Sequence, residues 1–443
     1  MARSTSSDRS WLGEELRTNL WLVPAVLVAL AGVLFLVTFR IDKAAYHGTL
    51  TLPSWVNTGG ADEARQVLIA LAAAMITVVG VVFSVTIVAL TLASSQFGPR
   101  MLRNFIRDRG TQVTLGCFVA TFVYDILALG SVGQGEHGTF VPHLSVTVAL
   151  VLVLLDLVVL IYFIHHVATS IQLPSVIAGI ATDLRGAIVT QVPQGRDAVV
   201  PGVDPEVDAA LDALSGSMAL VTARESGYLQ FVSHRRLVEA STAHDARVEM
   251  IVRAGDFVSA GVPVARVQPA SAVDPIASVL HRVHITGPQR TLPQDMPFAV
   301  DQLVEIAIRA LSPAVNDTFT ALTCIDWLGD GLALVTERWV SGRRVYRDQS
   351  GAPRVFDPEL GYASLVDRAY DKIRNAGRGM PAVLDRQLDS LARVREVAVA
   401  PELRAALAAQ ARLVVAAADA VPDPTDRAEV RARYEAMCAP VTR

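Results

Sequence analysis

The chain has 443 residues, of which 52% are hydrophobic and only 19% are charged, and its formal net charge is −4. This composition is too apolar for an ordinary soluble protein, and the length allows about two or three structural units. The slightly acidic balance offers no basic surface of the kind that binds nucleic acid, so no nucleic-acid partner is expected. The three cysteines are far apart in the sequence, which predicts free thiols or small buried residues, in keeping with a reducing compartment.

Four apolar segments near the N-terminus predict transmembrane helices. The first, residues 20–39, contains 20 uncharged residues, enough to cross about 30 Å of hydrocarbon, and no A-x-A cleavage pattern of a signal peptide follows it. The other three segments are residues 66–95, 111–131 and 145–168. We therefore predict a four-helix membrane domain over residues 20–171, preceded by a cytoplasmic segment, residues 1–19.

The second apolar segment is unusually long, because no charged residue lies between Arg65 and Arg100. A helix of that length reaches roughly 50 Å, so part of it must tilt or extend into water. Small and weakly polar residues recur along it at steps of three, four or seven: Ala70, Ala73, Thr77, Gly80, Ser84, Thr91, Ser95 and Gly98. Such a stripe favours close helix packing, and the alternative is a pore-lining face repeated around an oligomer axis. The two interpretations are compatible in an oligomer.

Two carboxylates lie within predicted spans, Asp125 in the third and Asp156 in the fourth. A carboxylate inside a span costs about 2.5–3.5 kcal/mol on insertion scales, which makes it a functional hypothesis by default. These two spans are antiparallel neighbours, and the depths of the two residues differ by roughly 8 Å. That separation allows a shared proton or cation, or two neutral acids that only hold the helices together. His165 and His166 lie near the cytoplasmic face, where anchoring at the interface is the simpler explanation.

The charges of the loops predict the orientation. The loop after the second span is rich in arginine, containing Arg100, Arg103, Arg107 and Arg109, whereas the loop between the third and fourth spans has neither lysine nor arginine. Positive loops stay in the cytoplasm, so both termini are predicted to be cytoplasmic. Arg40 and Lys43 in the first outer loop oppose this assignment only mildly.

Residues 172–443 have the pattern of a cytoplasmic α+β domain. We predict a β module at about 215–270, a helical core at about 298–335 and C-terminal helices at about 361–438, which form a small bundle or an oligomer contact. The piece "VRAGDFVSAGVPVARV" in the β module resembles a corner of biotinyl/lipoyl-like barrel-sandwich modules, which predicts a small barrel-like fold. Those modules carry their cofactor on a lysine that this region lacks, so no cofactor is expected. The chain also has no Gly-Lys pair, which excludes a Walker P-loop.

The stretch "RALSPAVNDTFTALT", residues 309–323, combines an apolar face at helical spacing with helix-breaking polar residues. The apolar face comprises Leu311, Val315, Phe319 and Leu322. Pro313 predicts the end of one helix, and Asn316 or Asp317 is expected to cap the next one near Thr318. This joint is favoured over a binding site.

The alternative for this region is a cavity that holds a cation or a polar effector. Its lining would be a polar cluster made of Arg290, Thr291, Gln294, Asp295, Asp301, Glu305, Ser312, Asn316 and Asp317. His281 and His284 have the spacing of a metal-ligand pair on a helix, but no third ligand is evident at a suitable distance in sequence. No metal is assigned.

Two long stretches carry a resemblance to a known family: "FSVTIVALTLASSQFGPRML" (83–102) and "GPQRTLPQDMPFAVDQLVEIAIRALSPAVNDTFTA" (287–321). Together with four spans before a soluble domain, they resemble the bacterial membrane-protein family called domain of unknown function 2254, over nearly the whole chain. The resemblance implies a protein of the bacterial plasma membrane and leaves its activity open.

Three classes of function remain. The first is an oligomeric channel or transport protein with a cytoplasmic gating or regulatory domain, which implies the bilayer and further copies of the chain as partners. The second is a membrane-anchored sensor or scaffold whose cytoplasmic domain binds a ligand or partner. A membrane enzyme ranks third, because G-x-S-x-G, H-E-x-x-H and any legible nucleophile–base pair are absent from the sequence.

Overall fold

The computed structural model describes residues 21–56, 59–97, 108–135, 138–192, 198–199, 207, 209, 212 and 218–439. These residues form two compact units, which divide after Ser175. The predicted N-terminal segment 1–19, the arginine loop up to Arg107, and most of the linker before the β module lie outside the described residues, as does Gly98.

The first unit consists of four long helices, α1 (Leu22–Tyr46), α2 (Ala61–Phe97), α3 (Arg109–Ser131) and α4 (His143–Ser170), with a short hairpin of β1 (Gly133–Gly135) and β2 (Gly138–Phe140) between α3 and α4. Helix α3 is central, because it packs against each of the other three. Its aromatic side chains Phe118 and Tyr124 are fully buried, whereas many apolar side chains of the other helices remain exposed on the outside of the unit. An apolar exterior around a packed interior is typical of helices surrounded by lipid.

The number of apolar helices differs from the predicted four. Six helices among the described residues are long and apolar enough to cross a membrane, and the two additional ones are α5 (Leu173–Gln191) and α9 (Thr318–Arg338). In both helices part of the apolar surface is buried within the second unit, where Leu184 and Ile188 of α5 pack next to Gly331 of α9. The chain is thus a helical N-terminal region with several apolar helices, followed by a mixed α/β region.

The second unit contains further helices. In chain order they are α6 (His234–Ala243), α7 (Val273–Val283), α8 (Met296–Ala310), α10 (Tyr362–Ala376), α11 (Pro381–Val397), α12 (Pro401–Ala417) and α13 (Pro424–Cys438). Four of them begin with proline in the first turn, where its missing N–H costs no hydrogen bond.

The strands of the second unit are β3 (Ala198–Val199), β4 (Ala219–Thr222), β5 (Gly227–Val232), β6 (Arg247–Met250), β7 (Phe257–Val258), β8 (Pro263–Gln268), β9 (His284–Gly287), β10 (Arg343–Arg347) and β11 (Pro353–Phe356). They form a six-stranded sheet in the order β3-β10-β11-β6-β8-β4 and a three-stranded sheet in the order β7-β5-β9. Both sheets have free edges, so the described strands close no barrel, and the predicted barrel-like module is corrected to open sheets. Gly255 and Gly261 lie at turns of this module with φ of +98° and +82°, but turns do not determine which strands pair.

The joint after α8 follows the predicted helix–turn–helix pattern. Asn316 adopts φ of +50°, and the Asp317 side chain caps α9 by accepting hydrogen bonds from the Thr320 backbone N–H (3.1 Å) and hydroxyl (2.6 Å). The predicted apolar face is only partly buried, since Leu311 is 3% exposed but Val315 is 55% and Phe319 is 83% exposed. Helical spacing fails here because the chain is not helical between the two helices, so these residues do not share a face.

Candidate intramembrane site

The most unusual group in the first unit is the carboxyl of Asp125 on α3. The residue is 0% exposed, and neither carboxyl oxygen has a hydrogen-bond partner among the described residues. Burial of an ionised carboxylate without a partner is very costly in a medium of low polarity. The site therefore requires a neutralising proton or cation.

Asp156 on α4 lies beside it. It is 5% exposed and is hydrogen bonded by Thr121, which precedes Asp125 by one turn of α3. The two carboxyls interact electrostatically, and one oxygen of Asp156 has no partner among the described residues. The structure thus brings together the two acids that the sequence singles out, at the contact between α3 and α4.

The two predicted histidines separate in the structure. His165 is exposed, whereas Nε2 of His166 lies 2.7 Å from Oδ2 of Asp108, and the ring of Tyr162 stacks on that of His166 with centroids 5.4 Å apart. Asp108 also caps α3 by accepting the backbone N–H of Thr111 at 2.8 Å. Burial raises the pKa of Asp108, but the hydrogen bonds from Thr111 and His166 outweigh it and hold that pKa below its ordinary value.

A small cavity of about 30 Å³ adjoins this histidine–aspartate pair. That volume is on the scale of a single water molecule. Its lining includes Thr86, Leu90, Asp108, Thr111, His166 and Ser170. The cavity is too small for an organic substrate, and apolar side chains make up most of its lining beside His166.

A second polar network, which the sequence reasoning missed, joins α1, α3 and α4. Asp42 accepts hydrogen bonds from the backbone N–H groups of Leu144 (2.7 Å) and Ser145 (2.9 Å) and so caps α4 from another helix. The hydroxyls of Ser145, Thr38 and Tyr124 continue the network inward. The only local signal was an aspartate shortly after the apolar run, which is also common in loops.

The small-residue stripe lies on the exposed side of α2. Ala73, Thr77, Gly80, Ser84 and Thr91 are all exposed, while the opposite side buries Leu68, Met75 and Val82. The Thr77 and Thr91 hydroxyls donate to carbonyls of their own helix at 2.8 and 2.9 Å. The stripe is therefore not used for packing within the described part of this chain; the side chain of Ser95 is not among those described.

In the second unit, the residues of the predicted polar cluster lie in two separate places: the loop that leads into α8, and the joint between α8 and α9. Arg290 binds Asp295 through two hydrogen bonds of 2.7 and 2.8 Å, and it also donates to Asp301 at 2.5 Å, while Arg368 donates to Asp301 at 3.0 Å. Asp295 caps α8 by accepting the Phe298 N–H at 3.1 Å. These charges neutralise one another, so this part of the cluster holds the loop and helix together and does not present free ligands.

The neighbouring residues of the cluster fasten the same loop to strand β5. Gln294 exchanges two hydrogen bonds with the backbone of Val232, at 2.9 and 3.0 Å, and Thr291 donates to the carbonyl of Gln230 at 3.2 Å. Ser312 and Asp317 belong to the separate joint between α8 and α9, and Glu305 is half-buried on α8. The structure does not gather the cluster around one cavity.

Metal ligation has little support in the part of the chain that is described. No group of three or more histidine, cysteine, aspartate or glutamate residues there is arranged to hold a metal ion. His281 lies with Nε2 2.9 Å from the carbonyl oxygen of Thr222, and the side chain of His284 is outside the described set.

Comparison with known proteins assigns the chain to a family. Residues 17–393 match the family described as predicted membrane protein, DUF2254. An uncharacterized protein of Mycobacterium bovis is 33% identical over 445 residues, covering 97% of this chain and 82% of that protein, and uncharacterized proteins of two Mycobacterium tuberculosis strains align with the same identity and coverage. No solved structure is significantly similar. The chain therefore belongs to the DUF2254 family of predicted membrane proteins.

Proposed function

We propose that the chain is a subunit of an oligomeric channel or transport protein of the bacterial inner membrane, with a cytoplasmic regulatory domain. The observation that carries the proposal is the Asp125 carboxyl, fully buried, without a partner among the described residues and next to Asp156. Two acids with unsatisfied oxygens form a site for one proton or one small cation. Binding of that ion at the centre of the bundle is the elementary step of the proposed transport.

Four of the six apolar helices are proposed to span the bilayer, namely α1 to α4. Helices α5 and α9 carry ion pairs on their exposed sides: Arg185 of α5 with Asp330 of α9 at 2.7 Å, and Asp326 of α9 with Arg386 and Arg393, both at 2.9 Å. Charged pairs of this kind suit a surface in contact with water and are costly against hydrocarbon. We therefore assign α5 and α9 to the cytoplasmic domain.

The proposed orientation places both termini in the cytoplasm, as the arginine-rich loop predicts. A reporter that is active only in the cytoplasm should work at the C-terminus and fail in the loop around Glu136. Activity of the reporter in that loop would reverse the assignment.

The exposed stripe on α2 supports the oligomeric part of the proposal. A Cβ at Gly80 would meet no atom within 4 Å, so no contact within the described chain explains the small residue there. Small residues on an exposed face of a membrane helix allow another helix to approach closely. A second copy of the chain supplies such a helix.

The test is ion flux through the full chain reconstituted in lipid vesicles. We expect a proton or monovalent-cation flux that Asp125→Asn and Asp156→Asn each reduce at least about tenfold, because each removes a charge from the shared site. Asp62→Asn is the matched control, since that side chain is 94% exposed at the start of α2. Flux that is unaffected by Asp125→Asn would contradict the site, and absence of any flux would favour the membrane-anchored sensor or scaffold.

A further inference from the structure

We infer that His166 and Asp108 form a latch that closes one end of the contact between α3 and α4, the end at which α3 begins and α4 ends. The inference rests on the proposed function of Asp125 and Asp156, because it names how access to that acid pair from this end is controlled. The latch is a hydrogen bond between two helices, with Nε2 of His166 on α4 2.7 Å from Oδ2 of Asp108 at the start of α3.

The latch joins the same two helices as the acid pair. On α3, Asp108 is the N-cap residue and precedes Asp125, and on α4, His166 follows Asp156. Both latch residues therefore lie on the same side of the acids along the contact. An ion that approaches the acids between α3 and α4 from this end meets the latch first.

An apolar cluster fills the interior between the latch and the acid pair. It contains Phe118 of α3 and Phe163 of α4, each 1% exposed, together with Met75 and Val82 of α2. Each phenylalanine lies between the acid and the latch residue of its own helix. Apolar surroundings are costly for an ion, so this end of the contact is closed as long as α3 and α4 stay together.

Helix α3 leaves room for the imidazole at the latch. A Cβ atom at Gly110 would lie 2.5 Å from Nε2 of His166, so the ring rests directly against the backbone of α3. The ring of Tyr162, one turn earlier on α4, stacks on that of His166 with centroids 5.4 Å apart and an interplanar angle of 13°. The imidazole is thus held in place toward Asp108 and brings the two helices into close contact at this point.

The cap of α3 does not depend on the latch. Asp108 also accepts hydrogen bonds from the backbone N–H and the hydroxyl of Thr111, at 2.8 and 2.7 Å, and these bonds complete the cap. The side chains of His166 and Asp108 are 24% and 25% exposed, so water can replace each partner when they separate. The hydrogen bond can therefore open without unfolding either helix, as a latch requires.

A latch and a hydrogen bond that only stabilises the bundle differ in their effect on access. Loss of a latch opens one end of the contact, whereas loss of a purely stabilising bond loosens the bundle toward both faces of the membrane. We call the face at which α3 begins the latch face. The opposite face carries the hairpin of β1 and β2.

The experiment measures access to position 121 in the full chain, in membrane vesicles of both orientations. Thr121→Cys is the reporter, because Thr121 is 4% exposed and lies one turn before Asp125 on α3. The three natural cysteines, Cys117, Cys324 and Cys438, are replaced by alanine. The probe is a membrane-impermeant methanethiosulfonate that carries a quaternary ammonium group. We expect His166→Ala to raise the rate of labelling from the latch face at least about tenfold, because a hydrogen bond to a charged group no longer opposes opening.

A second variant separates the latch from the loss of the ring itself. Asp108→Asn keeps a residue that caps helices well but removes the negative charge that the imidazole contacts, so it should raise the same rate. The matched control is His165→Ala, because the neighbouring histidine is exposed, and it should label at the rate of the reporter alone. From the opposite face, the rate of labelling should be the same in all of these proteins.

Faster labelling from both faces would mean that the hydrogen bond only stabilises the bundle, and this result would overturn the latch. Unchanged labelling from the latch face in either His166→Ala or Asp108→Asn would overturn it as well. The labelling does not require transport. A protein without ion flux in which only the latch face responds would therefore refute the proposed transport and leave the latch in place.

Discussion

The imidazole of His166 lies directly against Gly110. A Cβ atom at position 110 would be 2.5 Å from Nε2 of His166, closer than real Cβ contacts. Glycine at this position, the second residue of α3, therefore leaves room for the 2.7 Å hydrogen bond between His166 and Asp108.

Gly110→Ala should displace His166 and break its contact with Asp108. We expect a loss of about 1–3 kcal/mol in stability, the cost of a buried polar group left unpaired. The measurement is the urea dependence of Cys117 labelling by a thiol reagent, with Cys324 and Cys438 replaced by alanine. Gly32→Ala is the control, since a Cβ there meets no atom within 4 Å. If both variants behave alike, or if Gly110→Ala costs as much in a His166→Ala background, the close contact has no energetic role.

Asp317→Ala should lower the stability of the second unit by about 0.5–2 kcal/mol, because it removes the cap of α9. Asp317→Asn should lose much less, since asparagine also caps helices well. The readout is labelling of Cys324, which is fully buried in α9, in a chain that lacks the other two cysteines. A stable Asp317→Ala protein that loses ion flux would instead identify the joint as a functional site.

Leu311 and Phe319 should differ sharply although the sequence places them on one apolar face. Leu311→Ala is expected to cost about 2–5 kcal/mol, because the side chain is 3% exposed. Phe319→Ala should change stability by no more than about 0.5 kcal/mol, because the ring is 83% exposed. The same Cys324 labelling compares the two. A large cost for Phe319→Ala would mean that the ring is covered in the assembled protein.

Acid should weaken the sheet of the second unit through Glu249, which binds Arg266 at 2.8 Å and Arg343 at 2.5 Å. Burial raises the pKa of Glu249, but the two arginines outweigh it and hold that pKa below its ordinary value of 4.5. A lowered folded pKa stabilises the protein above the unfolded value, and this contribution is lost as pH falls through the folded pKa. Glu249→Gln should therefore cost about 1–3 kcal/mol at pH 7 and progressively less below about pH 4.5. Thermal unfolding followed by circular dichroism tests this, and a cost that is independent of pH would exclude the charge as its origin.

Cysteines on the α2 stripe distinguish a pore from a helix contact. In a water-filled pore, Ser84→Cys and Thr91→Cys should react with an aqueous thiol reagent, whereas Val82→Cys, which is on the buried side, should not. In a helix contact, all three should be protected in the assembled protein, and leucine at Ser84 should lower assembly because it overpacks the interface. Equal and rapid reaction at all three positions would argue against both.

Features that depend on neighbouring residues could be predicted from the sequence. Features that depend on hydrogen bonds between residues far apart in the chain could not. The cap at Asp317 follows from residues within three positions, and Asp125 and Asp156 stand out because charged residues are rare in apolar segments. By contrast, Asp42 pairs with a helix 102 residues later, and His166 pairs with Asp108 58 residues earlier. No local pattern encodes such partners. The sequence indicates the residues around Arg290 as a set of polar side chains, but only the structure shows that the charged ones form ion pairs with one another.

The cap that Asp42 provides for α4 also constrains how the protein is made. Helix α1 carries a carboxylate near its end whose hydrogen-bond donors, the N–H groups of Leu144 and Ser145, are 102 and 103 residues away in the chain. At about 5–20 residues per second of synthesis, Asp42 waits roughly 5–20 s for its partners. If α1 spans the bilayer as proposed, Asp42 stays hydrated at the membrane surface during that interval, and α1 reaches its final depth only when α4 arrives. In that case, the insertion of α1 is complete only after α4 has been inserted.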